Sequence, residues 1–242
     1  DGVDVSGVAV HAGAATGSAF VRYRPDGGRD FVYNMRDSAN GRIAATPEAR
    51  RVLERAAHLH IMGSGLGIPA ARDLILEAGA ALKARGGTLS FDPNVRKEVL
   101  RDETVRATMM KAFALADIFL PSGDELRLFS EAGDEESAIA DLMARGVGEI
   151  VLKRGADGSS HYGPDGATHA PAFIVEEVDP TGAGDCFGAT FLVCRRRGMS
   201  PGEALRYANA AGARTVTVKG PMEGASTFAE LDAFIAATGT RT

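Results

Sequence analysis

Asp185 ends a run, Asp179-Pro180-Thr181-Gly182-Ala183-Gly184-Asp185, that leads into the helix-forming stretch Cys186-Phe187-Gly188-Ala189. Glycines let the backbone turn sharply into a helix. The first amide N–H groups of that helix have no intrahelical partner, so they converge on one spot and favour an anion there. A carboxylate at such a spot has two readings. It is an acidic residue that suits the positive helix end, or it is a general base that takes a hydroxyl proton as that oxygen attacks phosphorus. Gly182, Ala183 and Gly184 would supply the amides in the second case.

Other positions carry weaker signals. Asp92-Pro93-Asn94-Val95-Arg96 follows an apolar strand. Arg96 has a planar fork that grips phosphate or carboxylate, although Asp92 and Asn94 could equally close a simple turn. Lys153 and Arg154 stand at a strand end before Gly155 and Gly158. They are ordinary strand-end charges, or the start of a loop whose backbone approaches a nucleotide. Ser122 to Glu125 has the spacing of a capping box, which alone would explain Glu125. Gly63-Ser64-Gly65-Leu66-Gly67 lacks the dinucleotide fingerprint, and no Walker A sequence is present, which excludes a P-loop kinase. His58 and His60 alternate on a strand and read as packing residues. Cys186 and Cys194 lie on one helix with poor disulfide spacing, and no Cys/His cluster has zinc spacing.

The elements that must position these residues alternate. Thr16–Arg24 and Arg29–Met35 are rich in Val, Phe and Tyr and flank Pro25-Asp26-Gly27-Gly28, which predicts a β-hairpin. Thr46-Pro47-Glu48 starts a helix to about Ala57. Strands are expected at 58–62, 88–91, 117–120 and 149–153, with shorter ones at 159–162 and 168–175. Helices are expected at 69–85, 103–115, from Ser122, at 135–145, 183–197, 201–215 and 227–237. Strands alternating with helices imply an α/β fold with a parallel sheet, and ligands bind such sheets at the carboxyl ends of the strands.

Composition excludes several classes. The 242 residues carry 27 basic and 32 acidic side chains, a net charge of −5, so no basic excess drives binding to nucleic acid or acidic membranes. Arg195-Arg196-Arg197 suits the end of a helix. No apolar run reaches the roughly 20 residues of a membrane span, and the first residues do not read as a signal peptide. The two cysteines read as reduced thiols, and the chain as cytoplasmic.

Asp179 to Gly188 resembles the C-terminal signature of the ribokinase-like sugar kinases, the phosphofructokinase-B family, with Pro180 where Thr is common. Other segments agree in order and spacing. Gly63-Ser64-Gly65 is similar to the substrate-side loop, and Asp92 to Arg96 to its D-x-N-x-R segment. Val151 to Gly158 is similar to its nucleotide segment. Ala208-Asn209-Ala210-Ala211-Gly212 and Lys219-Gly220-Pro221 resemble the adenine-side helix and loop.

The resemblance implies a three-layer α/β/α fold with a mostly parallel central sheet and a small β lid. Residues 1–242 would form one kinase domain, with 16–36 as the hairpin lid. It implies transfer of the γ-phosphoryl of ATP to a hydroxyl of a sugar or sugar acid, with Asp185 as base. Lys153, Gly155, Gly158, Thr181, Asn209 and Gly220 would serve the nucleotide. Tyr33, Arg36, Asp92, Asn94 and Arg96, with Asp185, would serve the sugar. Glu125 would sit on the metal side, with Ser122 in place of the family's Asn. Mg²⁺ would ride on the phosphates, with K⁺ as a candidate further ion. The partner is a small molecule, with neither nucleic acid nor membrane, and a homodimer through the lid edges is expected.

Thr16-Gly17 and Tyr33 to Ala39 look most like 2-keto-3-deoxygluconate kinases, which makes that sugar acid the first expectation. Those enzymes place a Tyr and an Arg here. Tyr33 fits, but Met35 holds the Arg position, Arg36 is next door, and Ala19 replaces an aromatic. A ketohexose such as tagatose or fructose is the alternative. A non-catalytic sugar-sensing module on the same fold is a third reading. Relative to the family, the chain reads as N-terminally truncated by roughly 60 residues, about two βαβ-sized units.

Overall fold

The computed structural model describes residues 2–24, 29–35, 37–95 and 102–241. The hairpin turn Pro25-Asp26-Gly27-Gly28, Arg36 and Arg96 lie outside the described residues. The chain divides into two compact units, Asp1–Phe91 with Val95–Leu115, and Asp92–Asn94 with Ala116–Thr242.

In the first unit, β1 (Ser18–Tyr23) and β2 (Arg29–Asn34) pair antiparallel, with Ala19 opposite Tyr33 and Phe20 opposite Val32. Period-two alternation therefore puts Phe20 and Val32 on one face, and both are exposed. Helix α1 (Pro47–Arg55) starts as its sequence demands. The Thr46 hydroxyl accepts the Ala49 N–H at 3.1 Å, and Pro47 needs no N–H partner in the first turn. Strand β3 (His58–Met62), helix α2 (Pro69–Ala84), strand β4 (Thr88–Asp92) and helix α3 (Glu103–Leu115) follow. The core of this unit is Ile61, Leu66, Leu89, Phe91 and Met109, all almost fully buried. His58 and His60, read as packing residues, contact hydroxyls of β4. The two His58 ring nitrogens meet the Thr88 and Ser90 hydroxyls, each at 2.8 Å, and His60 Nδ1 meets the Ser90 hydroxyl at 2.7 Å.

The second unit holds β5 (Ile118–Phe119), α4 (Leu126–Phe129), α5 (Glu135–Ala144), β6 (Glu149–Lys153), β7 (Ser159–Gly163) and β8 (Gly166–Ala170). Helices α6 (Ala183–Arg196), α7 (Pro201–Val216) and α8 (Phe228–Ala237) complete it. Strands β5 and β6 run parallel, while β6–β7 and β7–β8 are antiparallel. The parallel pattern inferred from alternation thus stops at β6, because β6, β7 and β8 are joined by short connections with no α-helix between them. The expected strand 168–175 starts earlier and ends at Ala170. Pro171 has no N–H for the ladder, and beyond it only Phe173 bridges, to Thr240.

Phe119, Leu120, Ile150, Leu152, Phe191 and Leu205 fill this core. Burying each side chain of this kind contributes about 1.5–3 kcal/mol, which offsets the ordering of the chain around it. Gly212 on α7 lets the Ala183 carbonyl come within 3.4 Å of where a Cβ would stand, so the two longest helices of the unit meet backbone to backbone at the start of α6. Among the described residues no helix is long and apolar enough to cross a membrane. Both cysteines are free thiols, as their spacing requires.

Candidate active site

Helix α6 begins on a left-handed residue. Gly182, the N-cap, has φ 83° and ψ −8°, and a Cβ there would stand 2.9 Å from the Pro221 carbonyl carbon, closer still to its oxygen. Only glycine satisfies both demands. The buried Asp179 clamps this turn. Its Oδ1 accepts the Thr181 N–H at 3.0 Å and the Thr181 hydroxyl at 2.7 Å, while its Oδ2 accepts the Gly220 N–H at 3.1 Å. One carboxylate therefore ties the Gly-rich turn to the 220 loop. In the sequence Asp179 stands out only as part of the Gly-rich motif. Its role depends on a partner 41 residues away, and the local sequence carries no signal of that pairing.

The first intrahelical bond of α6 runs from the Cys186 N–H to the Gly182 carbonyl at 2.9 Å. The Ala183 N–H leans back toward the Pro180 carbonyl at 3.4 Å, a long turn bond. The first turn of α6 follows, at the end of the helix where the dipole is positive. Asp185 sits in this first turn and, with Gly184, is exposed rather than walled into the core.

Lys153, at the end of β6, reaches the same place. Its Nζ lies 3.9 Å from where a Gly184 Cβ would be. The ammonium pairs with Asp92, and both side chains are deeply buried, with 11% and 3% of their surface exposed. Asp92 also accepts the Asn94 N–H at 3.1 Å, which holds Asn94 in a left-handed turn with φ 36°. Asp92, Asn94, Lys153 and Asp185 thus all belong to the second unit. Tyr33 belongs to the first unit, on β2, and is exposed.

Beyond Lys153 opens a cavity of about 860 Å³, lined in part by Ser122, Lys153, Gly155, His169, Pro171 and Arg241. Gly155 has φ 56° and nothing within 4 Å of a would-be Cβ, so its backbone faces open space. Gly158 is different. Its φ is 85°, and a Cβ would overlap the Ala170 carbonyl, so it lets the loop close against β8. Arg154 is committed to Glu135, at 2.8 and 2.5 Å through two guanidinium nitrogens, and to the Ser160 and Tyr162 hydroxyls. That pairing holds the Glu135 carboxyl below the usual carboxylate range and pushes the Arg154 guanidinium up.

Asn209 spends its amide inside the protein. Its Oδ1 accepts the Ser159 hydroxyl at 2.8 Å, and its Nδ2 donates to the Ala170 and Pro171 carbonyls at 2.9 and 3.1 Å. It fixes the backbone that lines the cavity, whereas its own side chain is not among the lining groups. The Glu125 carboxylate accepts the Ser122 N–H at 2.7 Å, the capping bond expected from its spacing. Among the described residues no group of three or more His, Cys, Asp or Glu side chains could hold a metal. An Mg²⁺ ion that takes most of its ligands from phosphate and water is compatible with such a site, since Mg²⁺ needs only one or two carboxylates.

The fold is the ribokinase-like α/β fold, with a mostly parallel central sheet and a small antiparallel one. Residues 1–227 match the family model for pfkB family carbohydrate kinases, and the chain belongs to that family. It is a sugar kinase by that membership. It is 32% identical to fructokinase-1 of Oryza sativa subsp. japonica over 96% of this chain and 74% of that protein. An E. coli protein described as a candidate ribokinase II, solved with ATP and Mg²⁺, is 44% identical with a TM-score of 0.87, covering 92% of this chain and 71% of the other. A double mutant of Vibrio cholerae O395 fructokinase, solved with fructose, ADP and a potassium ion, is 27% identical with a TM-score of 0.71, covering 85% and 68%.

Proposed function

We propose that this protein transfers the γ-phosphoryl of ATP to a hydroxyl of a ketohexose, with Asp185 as the general base. One observation carries the reading: an exposed carboxylate in the first turn of a 14-residue helix that a left-handed glycine starts. Asp185 takes the proton of the attacking hydroxyl. The sugar oxygen forms a bond to phosphorus as the bond to the leaving ADP oxygen breaks. The amides at the start of α6 stabilise the charge that grows on the transferred group. Preorganised donors of this kind cost no reorganisation during the reaction, which is why the turn is clamped by Asp179.

The nucleotide occupies the cavity beside Lys153, Gly155 and Pro171, on this reading, with Thr181 and Gly220 at the clamped turn. Mg²⁺ would be held by phosphate oxygens and water, with Glu125 nearest in kind, and would neutralise phosphate charge. K⁺ enters as a candidate from the potassium-bound fructokinase to which the chain is similar. The fructokinase relatives support a ketohexose as acceptor. The sugar-acid reading needs a cation where Met35 stands. A Cβ on Gly17 would lie 2.6 Å from the Met35 sulfur, so a thioether fills that place and offers a carboxylate nothing. Tyr33 stays a candidate sugar contact from the resemblance, and the strand edges of the hairpin are the proposed surface for a second copy.

The experiment is a coupled ADP-release assay on the full-length protein with fructose, tagatose, 2-keto-3-deoxygluconate and ribose. A ketohexose should give the highest kcat/KM. Turnover confined to the sugar acid would replace the acceptor, and no turnover with any sugar would favour a sensing module.

A further inference from the structure

The Lys153 ammonium is in a place that folding alone disfavours. It is deeply buried, and it stands beside the first turn of α6, where the helix dipole is also positive. Asp92 is its single hydrogen-bond partner among the described residues and engages one of its three donors. Lys153 also lines the 860 Å³ cavity. Two positive groups aimed at one spot are compatible when an anion lies between them.

We propose that Lys153 is the cation that receives the phosphoryl group, and that Asp92 is a positioning residue acting through Lys153 rather than a sugar contact. This rests on the phosphoryl-transfer reading above. The geometry of Asp92 supports the division of labour. Its Oδ2 holds the ammonium, its Oδ1 takes the Asn94 N–H, and only 3% of the side chain is exposed, which leaves little surface for a sugar hydroxyl. The loop 92–94 and the end of β6 therefore work as a mount that aims one charge at the start of α6. Lys153 contacts the transferring group directly and supplies electrostatic stabilisation there.

The test uses full-length protein and four forms: wild type, Lys153→Met, Asp92→Asn and the double variant. Two readouts are taken, steady-state ADP release and nucleotide affinity by calorimetry without Mg²⁺. Lys153→Met should lower kcat by roughly 10²-fold or more, the scale for losing one preorganised group. It should also weaken ATP affinity by about tenfold, while the sugar KM moves less than about threefold. The double variant should match Lys153→Met, because Asp92 has nothing left to position. Asp92→Asn alone leaves a buried cation without its counter-charge and can melt early. The double variant buries neither charge, so its kcat and ATP affinity decide the matter even then. The inference is overturned if the double variant keeps wild-type kcat and ATP affinity. It is equally overturned if Asp92→Asn raises the sugar KM by the same factor with and without Lys153. An inactive Asp185→Asn beside a normal Lys153→Met would sink this inference alone, whereas a fully active Asp185→Asn would sink the reading beneath it.

Discussion

Replacing Gly182 by alanine tests whether the anion-binding turn is held as described. The added methyl would overlap the Pro221 carbonyl oxygen and stand 3.0 Å from the Pro221 Cα, so backbone has to move. The residue must also keep φ near 83°, which costs an L-residue about 1–2 kcal/mol. Overpacking adds about 1–3 kcal/mol. The total of about 2–5 kcal/mol is a large part of a stability of about 5–15 kcal/mol, and it should lower Tm by roughly 4–20 °C. Gly184→Ala is the control. Gly184 lies in the first turn of α6, and its would-be Cβ meets only Lys153 Nζ, at 3.9 Å. Alanine in a helix gains about 0.5–1 kcal/mol over glycine, so Tm should hold or rise. The methyl would nevertheless intrude on the proposed docking position of the phosphoryl group, and kcat should fall at least tenfold. Calorimetric melts and ADP-release rates on both variants measure this. A Gly182→Ala protein as stable as wild type would refute the clamp, and a fully active Gly184→Ala protein would refute the docking position.

Two further outcomes follow from the second unit. The Glu149 carboxyl is held below its usual range, first by the His161 hydrogen bond at 2.8 Å and then by the Arg195 charge. Its contribution is therefore complete above the unfolded value near 4.5 and is lost as pH falls through the lowered native value. The Tm gap between wild type and Glu149→Gln should be widest at neutral pH and narrow below about pH 4.5; a gap independent of pH would contradict this. Burial pushes the Cys194 thiol up to about 11, whereas Cys186 is half-buried. Iodoacetamide on native protein at pH 8 should modify Cys186 and spare Cys194, and equal labelling by mass spectrometry would show that the helix face is open.

Local sequence carries much of this fold because several elements are started by local chemistry. Thr46 before Pro47, Ser200 before Pro201 and Thr227 before Phe228 each accept an amide of the first turn, and the helices begin there. The strand ending at Lys153 was legible from its apolar run and the glycine after it. The strand expected at 168–175 was legible in part: β8 covers 166–170, and Pro171, which has no N–H for the ladder, ends it early. The Gly-rich helix start was visible as a motif. What holds it was not: Asp92 and Lys153 are 61 residues apart, and Asp179 reaches Gly220 across 41. Sequence assigned Asp92 and Lys153 to separate ligands, whereas the folded chain joins them in one ion pair. Long-range pairing of charges leaves no periodicity to read.

The most direct measurement is the rate of sugar-dependent ADP release by Asp185→Asn in the full-length protein, with ATP affinity measured on the same sample. Asn keeps the shape and removes the basic oxygen. If Asp185 removes the hydroxyl proton, kcat should fall by about 10²–10⁴-fold while ATP affinity stays within about threefold of wild type. Undiminished turnover, at any sugar concentration, would contradict the account.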